Sequence, residues 1–409
     1  MSFCIPRASG PSAVACVDIL DKTGLDSTFF RIFYPTEKFE PVKKICPPWM
    51  NETYLNGFAG LLGGGCASKI MKCFLKSKLV PVRWNGPLEM PMNISQLPVI
   101  VVSHGLGLSK NAHTFLSSEI ASRGFLVAAV DHKDKSASAS VYLEKESDGG
   151  YKEKSVEFQH IKMQTPEEQE LRYQQITQRV DDISKLINCV EQLNNGTLHN
   201  VLSEDVDLSV FKDKLDVKKC AIIGHSFGGG TTIAALEKES RIKVSVAMDA
   251  WLYPLEQKYY KIPINKPLLY INADGYIDKK EVLRMRRLDA DVTGIDAERK
   301  MVTLRGAVHM TYTDMGFFPR ISCIAKMIGM RGPTDPEITN EMNLKLLLGF
   351  IGKHLDLPCA KEVETIVSEN SDLCMMGTNV AVEDQEIKEA KFSSPDIGSV
   401  AEKEVNVKL

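Results

Sequence analysis

The chain has 409 residues, a formal net charge of -3, 44% apolar and 25% charged side chains. That length can bury one large core, so one catalytic domain is the expectation, and so small a charge builds no field that would gather a nucleic acid. The ten cysteines are scattered, with no Cys-x-x-Cys pair and no Cys/His cluster at zinc spacing, so no structural metal site and no disulfide framework is expected.

The first run, MSFCIPRASGPSAVACVD, lacks a basic start followed by an apolar stretch, and residue 2 is serine rather than glycine. With reduced thiols implied and no run of about 18 apolar residues, the expectation is a cytoplasmic protein without a secretory signal, a membrane span or an N-myristoyl anchor, and at most peripheral at membranes. Ala13 to Leu20 and Thr28 to Tyr34 alternate apolar and polar positions around DKTGLD, the pattern of half-buried antiparallel strands at the edge of a larger sheet. An irregular stretch with Pro47 and Pro48 follows. The segment from Phe58 to Leu79 then mixes Leu61, Ile70, Phe74 and Leu75 with Lys69, Lys72, Lys76 and Lys78. It reads as an amphipathic helix, either packed on the sheet with solvated lysines or docking transiently at a membrane surface.

From Leu97 the pattern changes to short, wholly apolar runs separated by helical segments: LPVIVV, FLVAAV, CAII, VSVAM, PLLYI and MVTL. Parallel sheets covered on both faces are written this way, so the fold class is α/β with a mostly parallel central sheet. A polar insertion from Lys133 to His160 and a long helical pattern from about Pro166 to Leu193 interrupt the series. The insertion reads as a surface excursion over the active-site end. After the helical NEMNLKLLLGFIGKHLDL the chain turns acidic, polar and aperiodic, so the catalytic domain is placed at 1–356 and a disordered tail at 357–409.

The sharpest local signal is Gly224-His225-Ser226-Phe227-Gly228, directly after an apolar strand and before the helical TTIAALEKE. A G-x-S-x-G in that context is a nucleophile elbow: the serine sits on a strained strand-to-helix turn, with Gly224 and Gly228 leaving room for neighbouring backbone. Ser226 is the expected nucleophile, and the Phe227 N–H, at the positive end of the helix, is an expected oxyanion donor.

A serine hydroxyl needs a base, and in this fold the histidine follows the last strand. His309 ends the strand-and-loop pattern KMVTLRGAV, whereas His354 lies within a helical pattern and reads as packing. His309 is therefore the expected base. Two carboxylates end strands after the serine, Asp249 in VSVAMDAW and Asp274 in LLYINADG. The later strand is the commoner site for the acid, but Asp249 is embedded in apolar sequence that calls for a specific partner, and Asp274 beside Gly275 suits an ordinary turn. On these grounds both stay open. The loop Ser103-His104-Gly105-Leu106-Gly107 offers the Leu106 N–H as second oxyanion donor, while His104, Asp131 and His132 read as loop packing.

Together these residues resemble the platelet-activating factor acetylhydrolases. The likeness is carried by SHGLG (103–107), ASRGFLVAAVDHKDKSASAS (121–140), IIGHSFGGG (222–230), AMDAWLYPL (247–255), the Gly306-x-Val308-His309 element and RWNGPL (83–88). It runs from about residue 10 to about residue 356; residues 36 to 80, the tail, and the loop opening Met310-Thr311-Tyr312 depart from the family pattern. The resemblance implies the α/β-hydrolase fold and a calcium-independent serine hydrolase, without cofactor or metal, that removes the sn-2 acetyl or a short or oxidised acyl group from phospholipids. It also implies Asp249 as the acid and Leu106 and Phe227 as the oxyanion donors. The alternatives are a general carboxylesterase or lipase on neutral esters, and a non-catalytic binding protein of the same fold.

Overall fold

The two early runs form β1 (Ala13–Leu20) and β2 (Phe29–Thr36), paired antiparallel with Cys16 opposite Phe33 and Asp18 opposite Arg31. The computed structural model describes residues 3–61, 65–203, 206–260, 264–290, 297–318, 329–383 and 386–387. The chain divides into two compact units, residues 1–159 with 181–222, and residues 160–180 with 223–409.

In the first unit the strand order is β4-β5-β2-β1-β3, with β3 at Arg83–Trp84, β4 at Leu97–Ser103 and β5 at Leu126–Val130. β4 and β5 are parallel, and β5, β2 and β1 are successively antiparallel. The expectation of half-buried edge strands is corrected on two points. The short β3 lies outside β1, and β2 is buried along its whole length. Helix α3 (Thr114–Ala121) packs against β2, and the polar positions Asp18 and Arg31 pair with each other in the interior instead of facing water.

The lysine-rich segment forms α1 (Glu52–Gly60) and α2 (Gly65–Lys76). Phe58 and Leu75 are buried, whereas Ile70 and Phe74 are exposed. The insertion after β5 is a hairpin, β6 (Ala139–Lys145) with β7 (Tyr151–Glu157), and it belongs to the first unit. Asn51 caps α1 by accepting the Tyr54 N–H. Helix α4 (Pro166–Asn195) follows the hairpin.

The second unit carries the order β12-β11-β10-β9-β8. The last of these, β8 (Leu215–His225), enters from the first unit and leads directly into α5 (Phe227–Lys238). β9 (Ile242–Met248), β10 (Leu268–Ala273) and β11 (Arg299–Leu304) run parallel, and α6 (Lys279–Ala290) joins β10 to β11. Their strands are buried almost throughout, as a sheet covered on both faces requires.

The expected domain end at 356 falls short. Beyond α7 (Pro336–Leu355) the chain makes α8 (Val363–Glu369) and β12 (Cys374–Met376), which adds to β11 antiparallel with Thr303 opposite Met375. Val363, Ile366, Val367 and Cys374 are buried, so this polar-looking stretch holds just enough apolar side chains to close the sheet edge. The rest of the expected tail, residues 388–409, lies outside the described residues. No helix among the described residues is long and apolar enough to cross a membrane.

Candidate active site

Ser226 stands at the junction of β8 and α5 with φ 58° and ψ -118°, a conformation that strains any side chain. Neighbouring backbone holds it there. The Ser226 N–H donates to the Met248 carbonyl at 3.0 Å, and the Ser226 carbonyl accepts from the Trp251 and Gly229 N–H groups at 2.9 Å each. The glycines around it are needed for close approach. A Cβ on Gly224 would lie 2.1 Å from the Gly228 carbonyl oxygen, and one on Gly229 would lie 2.8 Å from the Ala250 Cα. Phe227 opens α5, so its N–H has no acceptor within the helix. Its ring is buried edge-on against Trp251 at 5.6 Å, under the Arg179 guanidinium at 4.2 Å.

Asp249 follows β9 with φ 42°, a second left-handed non-glycine residue one strand away from the first. Its carboxylate is fully buried and doubly bonded. Oδ1 accepts the Ala273 N–H at 2.6 Å, and Oδ2 lies 3.1 Å from His309 Nδ1. Because a carboxylate only accepts, that contact puts the proton on Nδ1 and leaves Nε2 as the basic nitrogen. Burial pushes the Asp249 carboxyl above the usual carboxylate range, and the hydrogen bonds from His309 and Ala273 offset only part of that push.

His309 begins a short 3₁₀ turn, His309–Tyr312, after β11, and its side chain is 21% exposed, enough for a substrate to reach it. Tyr276 stacks on the imidazole at 3.7 Å between ring centres and 19° between planes, and the Tyr276 hydroxyl interacts with the Ser226 side chain. His225 also lies beside it, 4.4 Å between centres, with Nε2 3.0 Å from the His309 carbonyl oxygen, which makes Nε2 a donor. The sequence pointed to neither Tyr276 nor His225 for a role. His225 occupies the variable place of the elbow motif, and Tyr276 was one more aromatic in a loop, two residues past Asp274. Ligand atoms of His225, Asp249 and His309 lie within 4.8 Å of one another. His309 Nδ1 and His225 Nε2 both carry protons in this hydrogen-bond pattern, which suits proton transfer rather than metal ligation.

The other candidates fall elsewhere. Asp274 accepts the Gly306 N–H at 2.9 Å and so pins the turn after β11 rather than an imidazole. His354, in α7, lies 2.9 Å from Glu298 and packs on Phe350. In the first unit, His104 Nδ1 donates to the Gly105 carbonyl at 2.9 Å. His132 contacts Asp182 and Ser103, each at 3.0 Å, a Ser-His-Asp series that is almost wholly buried. Asp131 accepts the Tyr54 hydroxyl. Leu106 is half-buried in the loop after β4, which is held by the Gly107 N–H on the Ser136 carbonyl at 2.8 Å.

A serine on a strained turn, a helix-terminal N–H beside it and an imidazole whose tautomer is fixed by a buried carboxylate are parts that nucleophilic acyl transfer requires. Comparison with known proteins points the same way. The profile of the family described as platelet-activating factor acetylhydrolase, isoform II, matches residues 1–371. A platelet-activating factor acetylhydrolase of Canis lupus familiaris is 31% identical over 386 residues, covering 92% of this chain and 83% of its own length. That of Bos taurus is 32% identical, with 92% and 83% covered. Among solved structures, a ferulic acid esterase from Streptomyces cinnamoneus aligns with a TM-score of 0.60 at 16% identity, over 90% of this chain and 97% of that one. At that identity the likeness concerns the fold alone, the α/β-hydrolase fold.

Proposed function

The chain belongs to the platelet-activating factor acetylhydrolase, isoform II, family, and from that premise we propose that it hydrolyses the sn-2 acetyl or short acyl ester of platelet-activating factor and related phospholipids. The observation that carries the serine mechanism is the 3.1 Å contact between His309 Nδ1 and the buried Asp249 carboxylate, in the same unit as the strained Ser226.

On this reading His309 Nε2 takes the Ser226 proton as Oγ attacks the ester carbonyl. Asp249 holds the imidazole tautomer and balances the imidazolium. The Phe227 N–H stabilises the oxyanion with help from the dipole of α5, and the family resemblance gives the Leu106 N–H the companion role. Lyso-phospholipid leaves with the proton from His309, and water then hydrolyses the acyl-enzyme by the same base. No metal enters these steps. The setting is cytoplasmic, and the exposed Ile70 and Phe74 of α2, among lysines, supply a transient contact with the surface from which the lipid is drawn.

Acetate release from an sn-2 acetyl phosphocholine, measured with EDTA present, tests the reading. Wild type and Asp274→Asn turn over, whereas Ser226→Ala and His309→Ala are silent. Turnover of neutral short esters with none of the phosphocholine would favour the carboxylesterase alternative instead.

A further inference from the structure

The first unit contains a cavity of about 330 Å³ with none of the residues discussed above as acyl-transfer groups in its wall. Its polar wall is built from Asp18, Arg31, Lys44, Lys110 and Asn111, and its apolar wall includes Trp84 and the Ile45 to Pro48 stretch. The volume is that of a small-molecule site rather than a packing defect.

Two polar atoms of this wall lack a partner among the described residues, Arg31 Nη1 and Asn111 Oδ1. Arg31 donates to Asp18 through Nε at 2.7 Å and Nη2 at 3.0 Å, but its Nη1 is buried with no acceptor among the described residues, although the residue is 5% exposed. Lys110, 3% exposed, shares the same carboxylate at 3.8 Å and donates to the Tyr54 hydroxyl at 2.9 Å. A second carboxylate, Asp131, accepts the Tyr54 hydroxyl at 2.6 Å and acts on Lys110 as well as on Lys133. The two buried cations, Arg31 and Lys110, thus face two carboxylates, Asp18 and Asp131, and the exposed Lys44 at the mouth adds a further positive charge. Asn111 Oδ1 is buried there without a donor. A buried guanidinium nitrogen without an acceptor is a standing cost that a ligand oxygen would relieve.

We propose that this cavity binds a small organic oxyanion, a carboxylate or phosphate monoester on a short hydroxylated carbon body. The anionic oxygen bonds Arg31 Nη1 and faces Lys110, a hydroxyl donates to Asn111 Oδ1, and the carbon body lies against Trp84 and Pro47. The Arg31 guanidinium already sits over the Trp84 ring at 5.2 Å, which keeps the mouth aromatic and the cation in place.

The test titrates the full chain with 3-hydroxybutyrate, with glycerol 3-phosphate and with inorganic phosphate, reading heat of binding and the rise in Tm. Saturable binding of at least one organic anion is expected, as tight in Ser226→Ala as in wild type. The exposed mouth variants Lys44→Gln and Trp84→Ala weaken it about threefold, and the charge-balanced double variant Asp18→Leu/Arg31→Met weakens it at least about tenfold. The first two probes separate a carboxylate from a phosphate-ester ligand. No saturation by about 20 mM with any probe, binding lost in Ser226→Ala, or binding untouched by both mouth variants would overturn the proposal. The mouth variants keep the test sharp if the double variant does not fold.

Discussion

Asp18, partly buried, and Asp249, fully buried, are carboxylates in strongly apolar sheets, and they are held in opposite ways. Asp18 receives two hydrogen bonds from Arg31 and has Lys110 3.8 Å away, and these cations hold its carboxyl below the usual range despite burial. Asp249 faces one imidazole and one backbone N–H, and burial wins, pushing its carboxyl up. A carboxylate saturated by cations is fixed as a structural anion. One left short of positive charge retains a strong demand for it, which in the proposed mechanism is met when His309 becomes an imidazolium. The same residue type is thereby locked in the first unit and poised in the second.

Breaking the poised pair should give the largest effect. Asp249→Asn keeps the shape and removes the charge, so kcat is expected to fall about 10³- to 10⁴-fold, as when an aspartate that orients a catalytic histidine is neutralised in serine hydrolases. The fold should persist. Asp274→Asn, which touches only the turn at Gly306, should stay within a few-fold of wild type. Acetate release by both variants decides the matter, and the reverse ranking would move the acid to Asp274.

Breaking the locked pair should cost stability instead. Arg31→Met leaves Asp18 with Lys110 alone, 3.8 Å away, a loss of up to about 3 kcal/mol, whereas Asp18→Leu/Arg31→Met, which removes both charges, should recover most of it. Urea unfolding measures this, and fluorophosphonate labelling per folded molecule should equal wild type in both. A single variant as stable as the double would show that the pair is not desolvated.

The sequence disclosed these two regions unequally. Around Ser226 the glycines, the strand and the helix are contiguous, so short-range constraints were legible, and chain order led to His309. Asp249 could be separated from Asp274 only through the family resemblance, because both end a strand and only tertiary packing brings one of them to the imidazole. The first unit was misread for a related reason. The alternation in β1 and β2 puts Asp18 and Arg31 on the polar side of each strand, and period-two patterning cannot distinguish solvent from an internal ion pair. β12 escaped for want of length, since a three-residue strand has no periodicity to read.

Stability against pH sharpens the contrast because the two groups tilt it in opposite directions. The carboxyl of Asp18 is lowered in the folded protein, so its contribution is full above the unfolded value of 3.8 and is lost as pH falls through the folded value. Asp249 is raised, so the folded state retains a proton that the unfolded chain has released above 3.8, and stability declines as pH rises from there through the folded value. In urea titrations across that range, Asp18→Asn should flatten the acid loss below 3.8, and Asp249→Asn should remove the decline above it. Parallel curves for the two variants would erase the distinction between a locked and a poised carboxylate.

The smallest expected effect concerns the side of His309 away from the carboxylate. Tyr276 offers two separable things: a ring stacked on the imidazole at 3.7 Å and a hydroxyl that interacts with Ser226. Tyr276→Phe removes only the hydroxyl, whose interaction with Ser226 is weaker than a full hydrogen bond, so a fall in kcat of at most about threefold with KM unchanged is expected. Tyr276→Leu removes the ring face as well, and with it the cation–π support for the imidazolium, so about a further tenfold loss is expected. Steady-state kinetics of the two variants separate the contributions. Equal losses would assign the whole effect to the hydroxyl. A gain in Tyr276→Phe would mean that the phenol restrains Ser226 in the resting enzyme, so that substrate must displace it before the serine can attack.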